Sequence, residues 1–182
     1  TACSSALAAG HASLRALQLR ECDASLLNAI SLMLLPGVGL SFAVAGMTSA
    51  RGRCHTFDSR ADGYVRSDGI GCAALQPSSP LGVTFSGCAV RQDGRRASLT
   101  APNGLAQRAL LTAAHSDARI APDELSRIEV HGTGTALGDP IEAGSLAAAV
   151  LAARGDAAGA LAAGGVKANS GHAEPAAAMA GL

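Results

Sequence analysis

The sequence predicts an α/β fold with a layered sheet, and composition and element order together predict it. Short apolar runs alternate with segments of helical character along the chain, which is the pattern of helices covering a sheet. Of the 182 residues, 48% are hydrophobic, enough for a substantial core. Aromatic residues make up only 2%, and alanine and glycine replace them, which favours close packing of helices and strands.

The first half of the chain is predicted to contain one helix and three strands. The helix covers residues 1–20, where Thr1 and the serines that follow Cys3 are plausible start signals. A buried strand is expected over residues 24–35, with a loop after it. Two further strands, at residues 70–75 and 83–90, flank the turn sequence PSSP.

The second half alternates more regularly between helices and strands. Pro102 near the start of an apolar-faced segment indicates a helix. The predicted order is a helix at 102–119, a strand at 128–131, a helix at 140–154, a strand at 161–166 and the start of a helix at 175–182. Because the chain opens in a helix start and stops in a helix just begun, we expect it to be the middle of a longer domain.

Charge and cysteine content exclude several classes of function. Fourteen basic and fourteen acidic side chains balance, so no global field attracts nucleic acid, and no nucleic-acid partner is expected. The five cysteines form no CxxC pair, which predicts neither a metal site nor a disulfide framework. They are interpreted as reduced thiols of an intracellular protein, cytoplasmic in the simplest case and plastid in the alternative.

An uncharged stretch at residues 24–50 is long enough to cross a bilayer. Pro36, Gly37 and Gly39 interrupt it, and polar residues interleave it. A buried strand followed by a loop explains the stretch better, so no membrane span is predicted.

Cys3 is the first candidate for chemistry. It lies at the expected first turn of a helix, where unpaired amides and the helix dipole favour negative charge and hence the thiolate. Its small neighbours leave room for a substrate. The alternative is a buried and inert cysteine.

Two further clusters place histidines among glycines and hydroxyls. His131 follows a short strand and precedes Gly-Thr-Gly-Thr, whose hydroxyls at Thr133 and Thr135 can bind an amide-bearing arm. Lys167 and His172 are five residues apart, and like-charge repulsion would keep the imidazole neutral. The alternatives are a capped turn in the first case, and a surface lysine with an incidental histidine in the second.

One cysteine and two histidines in three glycine-bracketed turns indicate an acyl-thioester mechanism. The blocks TACSSAL at 1–7, EVHGTGTALGDPIE at 129–142 and GVKANSGHAEPAAAMAGL at 165–182 carry these residues. With GRCHTFDSRADGYVRSDGIG at 52–71 and AVRQDGRRASLTAPNG at 89–104, the chain resembles ketosynthase domains of type I polyketide synthases, in the thiolase-like superfamily.

The resemblance implies an incomplete thiolase-like layered αβαβα fold. Residues 1–80 would be the end of its N-terminal half and residues 81–182 the start of its C-terminal half. The family dimerises, so a homodimer is expected of the full-length domain.

The resemblance also implies roles for the site residues. Cys3 matches the nucleophile that holds the acyl chain, and His131 and His172 match the histidines that promote malonyl decarboxylation and stabilise the enolate. Lys167 matches the lysine that organises the second histidine's surroundings, and Glu174 matches its usual acidic neighbour. From the sequence itself, Glu174 is expected to pair with Lys167 and hold it in place.

Partners and alternatives follow from the same resemblance. Thr133 and Thr135 match threonines that contact the phosphopantetheine arm of an acyl-carrier protein, which brings malonyl and acyl thioesters; no cofactor is expected to bind directly. Departures around the catalytic residues leave open a non-catalytic remnant that binds carrier protein or scaffolds a synthase. A thiolase or fatty-acid condensing enzyme is disfavoured by the blocks at 52–71 and 89–104.

Overall fold

The structure is a computed structural model, and it describes residues 1–77, 82–95 and 101–182. It confirms the α/β class. Five α-helices are described: α1 (Ser5–Gln18), α2 (Pro36–Val44), α3 (Gly104–Ala118), α4 (Gly138–Ala149) and α5 (Lys167–Ser170). Four strands are described: β1 (Ser25–Ser31), β2 (Gly69–Leu75), β3 (Arg127–Glu129) and β4 (Ala162–Gly164). Short 3₁₀ helices cover Pro122–Glu124, Leu151–Ala153, Asp156–Ala158 and Glu174–Ala180.

The first sheet is an antiparallel pair, in which Ser25 of β1 lies opposite Leu75 of β2 and Ser31 opposite Gly69. Burial alternates along β1, so that Leu27 and Ala29 are covered while the neighbouring apolar residues are not. The expectation of a fully buried strand is therefore wrong for this chain, because only one face of the pair is covered by described residues. On the other face Leu26 is 68% exposed.

Helix α1 covers the buried face of this sheet. Ala6, Gly10 and Leu14 recur every four residues and form its buried stripe. A β-carbon on Gly10 would lie 3.4 Å from Leu27 Cδ2, which shows how closely the helix approaches β1. Small side chains thus set the distance between helix and sheet.

The last segment, where the sequence predicted the start of a helix, packs against the same sheet as a 3₁₀ helix. With three residues per turn, Ala173, Ala176 and Met179 share one face. That face meets two glycines of β2. A β-carbon added to Gly69 would lie 2.7 Å from Ala173 Cβ, and one added to Gly71 would lie 2.6 Å from Met179 Cβ. The period of three is the one that aligns these small residues with the strand.

Helix α2 was not predicted, since Pro36 and two glycines suggested a loop. Proline is compatible with the first turn of a helix because its missing amide would have no partner there. The helix is apolar on all sides and contains no buried residue, so no amphipathic period marked it. No helix in the described part of the chain combines the length and apolar character needed to cross a membrane.

The predicted strand at 83–90 is also wrong. The backbone amide and carbonyl of Cys88 are bound by side chains, and the segment joins no strand ladder among the described residues. Asp117 of α3 accepts from the Cys88 amide at 2.8 Å, and Arg15 of α1 donates to the Cys88 carbonyl at 2.9 Å. The PSSP turn beside it lies mainly outside the described residues.

The second sheet pairs β3 and β4 in parallel, with Arg127 opposite Ala162 and Glu129 opposite Gly164. Both strands therefore end at the same edge. His131 lies two residues beyond β3, and Lys167 begins α5 beyond β4. The carboxyl edge of a parallel sheet is where α/β proteins place their sites.

Candidate active site

The structure brings three of the four predicted catalytic residues into direct proximity. Cys3 Sγ, one ring nitrogen of His131 and one of His172 all lie within 4.8 Å of one another. Cys3 occupies the turn just before α1, not the helix itself. Three separate chain segments thus converge on one point.

The two imidazoles face each other edge to face, with ring centroids 5.6 Å apart and planes at 89°. The pKa of His172, which is buried, falls to about 4, first because of burial and then because of His131 and Lys167. The pKa of His131 also falls to about 4. Although His131 is exposed to solvent as a whole residue, desolvation of its ring is the largest cause of this lowered pKa and outweighs the effect of Lys167. Both rings are therefore neutral at pH 7, and Lys167 contributes less to this than expected.

The orientation of His172 is set by the backbone around it. Its amide donates to the Val65 carbonyl at 2.7 Å, and its carbonyl accepts from the Ser67 amide at 3.1 Å. The Glu174 amide donates to His172 Nδ1 at 3.0 Å. Because Nδ1 accepts this bond, the proton of the neutral ring is on Nε2.

This tautomer does not suit a metal ion, although a thiol and two imidazoles are typical zinc ligands. With Nδ1 occupied, His172 has only Nε2 to offer a metal. Metal-bound histidines normally donate their second N–H to an acceptor, whereas Nδ1 of His172 meets the Glu174 amide, a donor. Nε2–H is instead a hydrogen-bond donor.

Carboxylates fix the backbone of the loop that carries His131. Glu142 accepts from the amides of His131 at 2.6 Å and Gly132 at 2.8 Å. Glu142 and Asp139 both lie in the first turns of α4, and they also organise the loop before it. Gly132 has a φ of 47°, and a β-carbon there would lie 2.4 Å from Thr56 Cγ2, so the loop requires glycine.

Asp139 is the centre of this arrangement. Its buried carboxylate accepts from the amides of Phe57 at 2.8 Å, Gly134 at 3.1 Å and Thr135 at 3.2 Å. It therefore joins the segment around Phe57 to the Gly-Thr-Gly-Thr loop.

Replacing Asp139 with asparagine is expected to destabilise the protein by roughly 2 kcal/mol, because an amide cannot satisfy three buried donors with one oxygen. Urea unfolding would measure this loss. Asp156→Asn is the matched control, since Asp156 is exposed at the start of a short 3₁₀ helix. Equal unfolding midpoints for the two variants would contradict the central role of Asp139.

Lys167 is buried, at 5% exposure, directly after β4. Burial lowers its pKa, while Glu129 and Glu142 act in the opposite direction. The predicted ion pair between Lys167 and Glu174 is not formed. Glu174 instead pairs with Arg66, whose Nε lies 2.5 Å from Glu174 Oε1.

Thr133 and Thr135 lie on the loop beside His131. Their hydroxyl oxygens are 3.4 Å apart, and Thr133 is buried. Thr135 Oγ1 also accepts from the Gly138 amide at 3.2 Å, which ties the loop to α4.

Sequence reasoning missed several residues that shape the site. Tyr64 stacks edge to face on His172 with centroids 5.0 Å apart, and Arg66 binds Glu174. Both lie in the block at 52–71, which was singled out only as typical of a family. Glu129, which accepts from the Val166 amide at 2.6 Å, was visible only as part of the EVHGTGT block.

Comparison with known proteins shows the family of this chain. Residues 1–80 match the family model described as "Beta-ketoacyl synthase, N-terminal domain", and residues 83–182 match "Beta-ketoacyl synthase, C-terminal domain". The fold is that of the thiolase-like class, and the chain belongs to the β-ketoacyl synthase family.

Within this family, the chain is similar to proteins of polyketide synthases. A phenolphthiocerol/phthiocerol polyketide synthase protein of Mycobacterium tuberculosis is 42% identical over 100% of the chain. The ketosynthase from module 6 of the bacillaene synthase of Bacillus subtilis 168 is 34% identical with a TM-score of 0.89 over 99% of the chain. The oxazolomycin ketosynthase domain of Streptomyces albus JA3453 is also 34% identical, with a TM-score of 0.92.

The chain is thus similar to ketosynthase domains of polyketide synthases. It spans 10% of the length of the Mycobacterium protein and 33% of the solved bacillaene ketosynthase.

Proposed function

We propose that this chain carries the site of a decarboxylative Claisen condensation, in which Cys3 holds an acyl group that a malonyl-derived enolate then attacks. The approach of Cys3, His131 and His172 to within 4.8 Å carries this proposal. A sulfur nucleophile beside two neutral imidazoles suits chemistry that passes through a thioester and an oxyanion.

In the loading step, the Cys3 thiolate attacks the carbonyl carbon of an acyl thioester on a carrier protein. The bond from carbon to Cys3 Sγ forms, the bond to the phosphopantetheine sulfur breaks, and that sulfur leaves as a thiol with the proton that Cys3 gave up. Within the described ranges the Cys3 amide donates to no acceptor. It is therefore available to the oxyanion of the tetrahedral intermediate.

In the extension step, loss of CO₂ from a malonyl thioester leaves its electron pair on the α-carbon as an enolate. The Nε2–H of His172 stabilises the enolate oxygen without first losing a proton, with His131 beside it. The enolate carbon attacks the acyl carbon on Cys3, and the Cys3 thiolate leaves. The chain has then grown by two carbons, and the nucleophile is restored.

Lys167 and the two threonines support these steps. The buried ammonium of Lys167 favours the neutral form of both imidazoles. Thr133 and Thr135 would contact the amides of the phosphopantetheine arm. The arm comes attached to the acyl-carrier protein, so it acts as a substrate carrier and not as a resident cofactor.

Labelling with iodoacetamide under limiting conditions tests the nucleophile. We expect Cys3 to be alkylated first, and preincubation with an acyl thioester to protect it, as read by mass spectrometry of the cysteine peptides. Cys72 is the internal control, because it is the more exposed thiol. Labelling of Cys72 with Cys3 left unmodified would overturn the assignment of Cys3.

A non-catalytic remnant, the alternative from the sequence, predicts a different outcome. Such a protein would bind carrier protein but show either no acyl loading, or loading without extension. Chain extension by the full-length protein excludes it.

A further inference from the structure

We propose that the ion pair between Arg66 and Glu174 is a positioning device, which holds the Glu174 backbone in the conformation that fixes the tautomer of His172. The inference deepens the proposed function, because it concerns the N–H that His172 presents to the enolate. Neither residue is placed in contact with substrate.

The backbone of Glu174 is in an unusual conformation. Its φ of 44° lies in the left-handed region, which residues with a β-carbon rarely adopt. In that conformation its amide reaches His172 Nδ1 at 3.0 Å. A strained residue that persists beside a reacting group has to be held by its surroundings.

The backbone conformation of Glu174 is held through its side chain, which binds Arg66. Arg66 donates from Nε to Glu174 Oε1 at 2.5 Å and from Nη2 to Oε2 at 3.2 Å, a bidentate pair. The two side chains are only 13% and 21% exposed. Shielding from water strengthens the pair relative to an exposed one.

Arg66 is itself held in place on two sides. Its guanidinium lies 5.1 Å from the centroid of the Phe42 ring, on the exposed helix α2. Its backbone pairs with that of His172 in an isolated bridge. The unpredicted helix α2 is thus connected to His172 through Phe42, Arg66 and Glu174.

Loss of this device should change the proton position on His172. Without the Glu174 amide at Nδ1, the neutral ring can place its proton on either nitrogen, and the Nδ1–H form presents no N–H at Nε2. Malonyl decarboxylation and chain extension need that N–H under the proposed mechanism. Acyl loading of Cys3 relies on the thiolate and the backbone amide, so it should change little.

The test compares Glu174→Ala with Glu174→Gly in the full-length protein. Glycine adopts a positive φ without strain, so Glu174→Gly should keep extension within a few-fold of the wild type. Glu174→Ala should lose it by roughly 10-fold or more, with loading nearly unchanged in both. Arg66→Ala should resemble Glu174→Ala, and should add little when combined with Glu174→Gly. Arg66→Lys, with one donor group in place of a fork, should be intermediate.

The proton position can be read without any activity measurement. In ¹⁵N-histidine NMR spectra, wild type and Glu174→Gly should show the Nε2–H tautomer of His172, and Glu174→Ala and Arg66→Ala a mixture. An unchanged tautomer in Glu174→Ala and Arg66→Ala would overturn the positioning role, whether or not the protein condenses acyl chains. Equal loss of extension in Glu174→Ala and Glu174→Gly would overturn it as well. A wild type that shows the Nε2–H tautomer but no extension would instead contradict the proposed function.

Discussion

Replacing Cys3 with alanine is expected to abolish acyl loading and to reduce chain extension by roughly 10³-fold or more, the scale on which loss of a nucleophile acts in other covalent enzymes. Cys3 supplies the sulfur of the group that it forms with His131 and His172, whose ligand atoms lie within 4.8 Å of one another, and neither imidazole can replace it in a thioester. Decarboxylation of malonyl thioester should remain measurable in the same variant. That step needs an N–H beside the enolate oxygen, and it does not need a nucleophile.

Intact-mass spectrometry after incubation with an acyl thioester would measure loading, and release of labelled CO₂ would measure decarboxylation. Cys72→Ala is the matched control, since Cys72 is exposed on β2 and lies outside the site. It should load and extend as the wild type does. Acyl adducts on the Cys3→Ala protein would show that another group is the nucleophile.

The site residues could be found from the sequence because their surroundings are local. Cys3, His131 and His172 each stand among small residues in one short block, and those blocks are what the family resemblance rests on. Their meeting in space follows from topology: parallel pairing of β3 with β4 brings His131 and Lys167 to one edge. A regular alternation of helices and strands in the second half of the chain made that pairing predictable.

The supporting residues could not be found in the same way, since their partners are distant in the chain. Arg66 and Glu174 are separated by 108 residues, and Phe57 and Asp139 by 82. Nothing in a single sequence specifies such pairs. Lys167 was predicted as the partner of Glu174 because it is close to it in the chain. That prediction was wrong, since Glu174 pairs with Arg66.

The misread elements share a different cause, which is that small or apolar residues carry little periodic signal. Helix α2 is apolar on every side, so its sequence has no helical stripe. The final 3₁₀ helix is rich in alanine, which suits an α-helix equally well by propensity. Its form is selected by tertiary contact with Gly69 and Gly71.

Replacing His172 with alanine should affect the decarboxylation step that the Cys3→Ala variant leaves intact, and spare the loading step that Cys3→Ala abolishes. Loading of Cys3 should persist, while decarboxylation and extension should fall by about 10²–10³-fold, the usual effect of removing one oxyanion donor. The loss follows from the Nε2–H, which the neutral ring of His172 keeps because its Nδ1 accepts from the Glu174 amide. His115→Ala is the matched control, because that ring binds the Ile120 carbonyl at the end of α3 and does not enter the site.

The pH dependence of the wild type supplies an independent check on the same histidine. In the folded protein both ring pKa values are about 4, below the value near 6.5 of a free histidine. Both rings therefore stay neutral as the pH falls from 7 to 5, and extension should show no decline attributable to them near pH 6.5. Over that interval the unfolded state binds more protons than the folded state, so the free energy of unfolding should decrease as the pH falls from 6.5 towards 4. His172→Ala should weaken this decrease, because one of the two depressed groups is gone. An extension profile with an acid limb at 6.5 that disappears in His172→Ala would show that the ring is solvated and titrates freely, and would contradict its assignment as a neutral donor.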